Sequence, residues 1–136
     1  MDALGTMYDC MAGFHRSLGR AARGGQVLEQ AGVVAAIVPG LPGLAIVNAT
    51  VYRDAASLGA ALPALGRAYE EAGVGRSMVW TTPGDGAAHD VLLAAGYVRY
   101  AESPAMALEL DQLPADDDPL DEWSDAPEPS ELARVV

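Results

Sequence analysis

The chain has 136 residues, 51% of them apolar, with eight arginines, no lysine and 19 acidic residues for a formal net charge of −11. That length fits one domain with a single core, and no apolar run approaches the roughly 20 residues of a membrane span. The charge is uneven: residues 1–110 carry ten acids against seven arginines (net −3) and residues 111–136 carry nine acids against Arg134 (net −8), so without a basic stripe neither nucleic acid nor an anionic membrane is a fitting partner.

The opening MDALGTMYDC has an acid at position 2 and no basic segment, unlike a secretory signal. Cys10 stands alone, which rules out an internal disulfide and fits a reducing, cytoplasmic setting. Leu4, Met7, Met11, Phe14 and Leu18 recur at spacings of three and four, predicting a helix with that stripe inward. Gly24 and Gly25 end it. VLEQ (Val27–Gln30) and VVAAIV (Val33–Val38) read as short strands around Ala31–Gly32, and PGLPG (Pro39–Gly43) as a turn. LAIVNATVY (Leu44–Tyr52) carries the strongest strand signal, its near-continuous apolarity predicting burial on both faces.

A second helix follows, striped by Leu58, Leu62, Leu65, Tyr69 and Ala72 and closed by Gly73. Pro63 lies inside it and predicts a kink, because its ring nitrogen cannot bond the Gly59 carbonyl. SMVWTTP (Ser77–Pro83) reads as a strand. The helix between Tyr52 and Ser77 acts as a crossover, which makes the two strands parallel neighbours. Asp85 caps a third helix with Ala88, Val91, Leu92 and Ala95 inward and Gly96 as its stop. Tyr97–Leu110 reads as extended, broken near Ser103–Pro104. The predicted class is α/β, in the order α-β-β-β-α-β-α-β, with a mixed sheet and helices on both faces.

From Asp111 the periodicity stops. Residues 111–129 form an acidic, proline-rich linker whose composition buries too little to order itself. SELARVV (130–136) reads as the start of a further helix or domain capped by Ser130, which makes the chain the front part of a longer polypeptide. The domain proper is 1–110.

Gly73–Tyr97 resembles the back half of the GNAT acyltransferase fold, where a strand precedes the pattern N-x-x-A-x-x-L-Y-x-x-x-G-F. Asp85, Ala88, Val91, Leu92, Gly96 and Tyr97 fall on N, A, L, Y, G and F in register, and PAMALEL (Pro104–Leu110) supplies the methionine-bearing strand. More broadly, Gly24–Leu110 looks like the degenerate N-terminal half of two-part GNAT proteins of actinobacteria. The resemblance implies a GNAT-like mixed sheet and, for the full-length protein, an acetyl-CoA-dependent N-acetyltransferase.

Two departures bear on function. The family binds the coenzyme pyrophosphate with a Q/R-x-x-G-x-G/A loop, which corresponds here to Arg53–Leu58; only Arg53 matches that motif. Glycines there let backbone N–H groups close on phosphates, whereas Ala56 and Leu58 bring side chains, and Asp54 brings a carboxylate to the helix N-terminus. Leu92 stands where many members place a tyrosine that protonates the leaving thiolate, and leucine has no proton to give. The resemblance thus implies a half that binds no acetyl-CoA and holds no catalytic residue, partnered by a C-terminal GNAT domain of the same polypeptide. The rival reading is a stand-alone module that binds a small ligand or dimerises, through its sheet edge or its N-terminal helix.

Among single residues, Asn48 and Trp80 are the candidates for substrate contact: an asparagine inside a strand is unusual, and Trp80 sits near the C-terminal end of a strand, where α/β sheets meet ligands. The plainer readings are a satisfied edge amide and a core aromatic. His15 and His89 are too poorly accompanied for a metal site, and His89 reads as solvated beside Asp90. Cys10 reads as an inert thiol. Asn48-Ala49-Thr50 spells a glycosylation sequon that has no use without secretion. Trp123 lies in the acidic segment as an aromatic suited to docking on a neighbouring domain.

Overall fold

The structure is a computed structural model, and it describes residues 2–103. Its elements run α1 (Ala3–Ala21), β1 (Gln26–Gln30), β2 (Val33–Ile37), β3 (Ala49–Tyr52), α2 (Ala55–Glu71), β4 (Met78–Val79) and α3 (Gly86–Ala94). The first seven of the expected elements therefore occur in the expected order. Of the eighth, residues 97–103 carry no strand. The rest of it lies outside the described residues, as do the 111–129 linker and the 130–136 helix.

Ala31 and Gly32 turn with φ of 46° and 82°, the paired positive values of a two-residue hairpin whose twist suits antiparallel strands. β1 and β2 pair across it from Gln30↔Val33 to Gln26↔Ile37. β2 pairs antiparallel with β3, and β3 pairs parallel with β4 through Ala49↔Met78 and Thr50↔Val79. The sheet is mixed, in the order β1-β2-β3-β4. The parallel pair is the one that α2 connects.

Alternation along β2 divides the core. Val33, Ala35 and Ile37 face α2 and pack on Ala61, Leu65 and Tyr69. Val34 on β2 and Val51 on β3 face the other way, onto Ala12 of α1. Helices thus cover both faces of the sheet, and all five residues of VVAAI are buried. α3 joins α2 through Leu58, Ala88 and Leu92. Each large aliphatic side chain buried in these clusters contributes about 1.5–3 kcal/mol.

Caps fix the helix starts. Asp2, Asp54 and Asp85 each accept the backbone N–H three residues on, at 3.0, 2.8 and 3.0 Å, satisfying one of the four donors that a helix start leaves open. Gly73 and Gly96, at φ 68° and 87°, follow α2 and α3 where a left-handed residue ends the spiral. α2 runs on through Pro63, which lies on its exposed side.

Three local expectations fail. Leu44–Val47 is not strand: turns occupy residues 42–43 and 45–47, and β3 starts only at Ala49. β4 is likewise two residues long rather than seven. In α1 the inward stripe lies one position further along than expected, on Ala12, His15 and Gly19, while Leu4 and Phe14 stay 61% and 59% exposed. Size decides this. A Cβ on Gly19 would run into the Gln26 carbonyl oxygen and lie 2.7 Å from Val27 Cγ2, so α1 meets β1 closely only along a face of small residues.

Candidate functional site

The strand-to-helix junction after β3 is a place where an anion can lie against open helix N–H groups. Here the chain supplies its own anion. The Asp54 carboxylate accepts the Ser57 N–H through Oδ1 and the Ser57 hydroxyl through Oδ2, both at 2.8 Å. The backbone hydrogen bond from Ser57, then the side-chain one, hold the Asp54 carboxyl below its ordinary range. The junction therefore carries a fixed negative charge.

Arg53, the one residue matching the pyrophosphate motif, turns away from that turn. Its Nη2 donates to Asp9 Oδ1 at 2.6 Å, and its guanidinium carbon lies 4.2 Å from the centre of the Tyr8 ring. The Tyr8 hydroxyl donates to the Gly32 carbonyl at 2.9 Å, and the Arg53 N–H donates to the same oxygen at 3.0 Å. Arg53 thus ties β3 to α1 and to the β1–β2 turn. Ala56 is exposed on the first turn of α2. Leu58, expected to crowd the phosphate niche, is instead fully buried against Ala88 and Leu92. The helical repeat puts it in line with Ala61, Leu65 and Tyr69, facing inward. The obstruction at the junction is electrostatic, through Asp54, and owes nothing to Leu58.

Asn48 is buried, and its amide is engaged by the loop before it. Oδ1 accepts the Val38 N–H at 2.7 Å, while Nδ2 donates to the carbonyls of Leu41 (2.9 Å) and Leu44 (3.1 Å). One side chain thereby satisfies three backbone groups of the 38–44 loop. Its role is to fix that loop, and it presents no amide hydrogen to a cleft.

Trp80 is half-buried and serves two surfaces. On one side it packs with Val34, Val51 and Ala12 and closes a small apolar cavity of about 270 Å³ with Met11, Phe14, His15, Ile46 and Val47. On the other it lines a groove of about 1060 Å³ along β4, bounded also by Ile46, Met78, Thr81, His89 and Tyr97. His89 is not solvated on the outer side of α3: its Nε2 lies 3.1 Å from Thr81 Oγ1, half-buried in that groove. Leu92 lines the groove as well and is buried against Leu58.

Three polar arrangements went unread in the sequence. The Tyr52 hydroxyl donates to Asp85 Oδ2 at 2.9 Å, tying the end of β3 to the cap of α3; burial first, then the Asp85 carboxylate, push its pKa up. The Tyr69 hydroxyl lies 3.2 Å from Thr50 Oγ1 and 3.3 Å from the Ala36 carbonyl, and burial raises it to about 12. His15 is buried with neither ring nitrogen partnered among the described residues. Thr50 and Tyr52 could have been found from strand alternation, which turns both toward α2. The partners across 19 and 33 residues had no signal.

Among the described residues no group of three His, Cys, Asp or Glu side chains is placed to hold a metal. No described helix is long and apolar enough to cross a membrane. Neither a family model, nor a curated protein, nor a solved structure matches this chain.

Proposed function

We propose that this chain is the N-terminal, non-catalytic half of a two-part GNAT-type, acyl-CoA-dependent N-acetyltransferase, whose following domain binds acetyl-CoA and uses this half as a packing partner. The strand order β1-β2-β3-β4, with its antiparallel, antiparallel and parallel pairs, suits the resemblance in the sequence pattern. The observation that carries the non-catalytic part is the Asp54 carboxylate seated on the Ser57 N–H. A diphosphate brought to the same turn would meet that charge at close range, in place of open donors. Leu92, buried in the α2–α3 contact, adds no proton donor to the groove.

Thermal unfolding with acetyl-CoA tests the reading. A ligand present at 100 times its dissociation constant adds about 2.7 kcal/mol to the stability of a protein that binds it. The chain as it stands should show no upward shift at millimolar acetyl-CoA, whereas a polypeptide extended past Val136 should show one. A clear shift for the 136-residue chain would overturn the passive role.

A second reading has its own support in the groove along β4, where the Thr81–His89 pair and Tyr97 offer polar contacts beside the Trp80 ring. In that reading the chain is a small-ligand-binding module. It requires a ligand that protects Thr81 and His89, and leaves the α2 N-terminus untouched.

A further inference from the structure

The face that α1 lays on the sheet contains one group out of keeping with the rest. His15 lies between Ala12 and Gly19 on that face and is 1% exposed. Neither Nδ1 nor Nε2 meets a hydrogen-bond partner among the described residues. Its surroundings are apolar: β2, β3 and the residue that follows β4 present Val34, Val51 and Trp80 to this side of the sheet. The titratable and charged groups near this face are already engaged with one another. Tyr8 bonds the Gly32 carbonyl, Asp9 pairs with Arg53, and Arg16 of α1 pairs with Glu29 of β1 at 2.5 Å. Burial alone lowers the pKa of His15, with no charged neighbour contributing.

We propose that His15 is an acid-operated latch for α1: neutral, it lets the helix lie on the sheet, and protonated, it drives the helix off the face formed by Val34, Val51 and Trp80. An imidazolium with no acceptor is much costlier to bury than a neutral ring. Water is the nearest remedy, and the way to it is open. The 270 Å³ cavity between Phe14, Ile46 and Trp80 adjoins the ring, so rotation of α1 toward that side hydrates the cation without unfolding the α2 half of the core.

The sign follows from linkage. The seated state binds the proton more weakly than the released state, so seating is fully favoured above the ordinary histidine value of about 6.5 and is lost as pH falls from there toward the lowered value of the seated ring. In that window the release equilibrium grows about tenfold per pH unit.

The test follows the ring signals of His15 and His89 by NMR in the full chain between pH 7.5 and 4.5. Amide exchange, corrected for its intrinsic pH dependence, is read separately for α1 and for β2. The expected result is an α1 opening constant that rises about tenfold per pH unit below about 6.5, while Val33–Ala36 keep their protection. In His15→Leu the α1 opening constant is flat across the same range, and in His15→Gln, which keeps a polar group without a titration, it is flat as well. If His15→Leu fails to fold, the glutamine variant carries the comparison alone. Three outcomes overturn the proposal: His15 titrating near 6.5 with α1 protection unchanged, a variant opening with the same pH slope, or α1 and β2 losing protection together.

Discussion

On the α2 side of the sheet, Val33, Ala35 and Ile37 meet Ala61, Leu65 and Tyr69; on the α1 side, Val34 and Val51 meet Ala12, flanked by Gly19 and His15. The α2 side uses branched and aromatic bulk, and its one buried hydroxyl group from the helix, on Tyr69, is within hydrogen-bonding distance of Thr50 and Ala36. The α1 side uses small residues for close approach, holds an imidazole with no partner among the described residues and borders a cavity. Both helices pack on the same three strands, β1 to β3, so the contrast comes from the side chains. Cohesion is concentrated where bulk and polar satisfaction coincide, and the α1 side is left as the part that changes of charge or size can displace.

Leu65→Ala should break that contrast most. Leu65 is fully buried at the centre of the α2 cluster, and deleting its three outer carbons loses transfer energy and leaves a cavity, worth about 2–5 kcal/mol together. Chemical denaturation followed by circular dichroism reads the loss as a lower midpoint at unchanged slope. A loss under about 1 kcal/mol, below the range for such truncations, would mean that the α2 face is no better packed than the α1 face.

Gly19→Ala attacks the other side. The new Cβ would strike the Gln26 carbonyl oxygen and crowd Val27 Cγ2, and a backbone atom cannot swing aside as a side-chain end can. α1 must move away from β1, at about 1–3 kcal/mol for an overpacked contact, despite alanine's better helix propensity of about 1 kcal/mol. Methyl and amide NMR shifts should change along α1 and β1 while Leu65 and Tyr69 keep theirs. A stabilised variant would show that propensity outweighs the close approach.

The same two faces mark how far the sequence could be read. The α2 stripe was legible because Leu58, Leu62, Leu65 and Tyr69 are large and helically spaced, and bulk on that face coincides with burial. On α1 the large residues and the buried ones lie on different faces: Leu4 and Phe14 draw the eye, yet Ala12, His15 and Gly19 go inward. Periodicity weighs hydrophobicity and is blind to the need for closeness. Leu44–Val47 misled for a related reason: its apolar run signals a strand, but the buried Asn48 amide gathers Val38, Leu41 and Leu44 into turns, a tertiary effect that propensity does not contain. At the junction the chemistry was more legible than the sterics. Asp54 as a competing anion could be read from its place before the helix, whereas Leu58 was read both into the inward stripe and into the phosphate niche, and only its burial against Ala88 and Leu92 decides for the stripe.

Tyr69→Phe sharpens the comparison with the smallest effect. It keeps the ring against Ala35 and Leu65 and removes only the hydroxyl near Thr50 and Ala36, so stability at pH 8 should fall by about 0.5–1.5 kcal/mol. The alkaline limb is more telling. Burial raises the Tyr69 phenol to about 12 from its ordinary 10.0, so the folded state keeps a proton that the unfolded chain has already lost. The stability linked to it is complete below pH 10 and drains away as pH climbs toward 12, at up to about 1.4 kcal/mol per pH unit. Tyr52 is shifted in the same direction, so the unmodified chain alone cannot separate the two. The difference between the Tyr69→Phe and unmodified denaturation curves isolates Tyr69: it should narrow, then invert, between pH 10 and 11.5. A difference that stays constant over that range would mean the hydroxyl reaches water, and that the α2 side of the sheet is no more tightly closed than the α1 side.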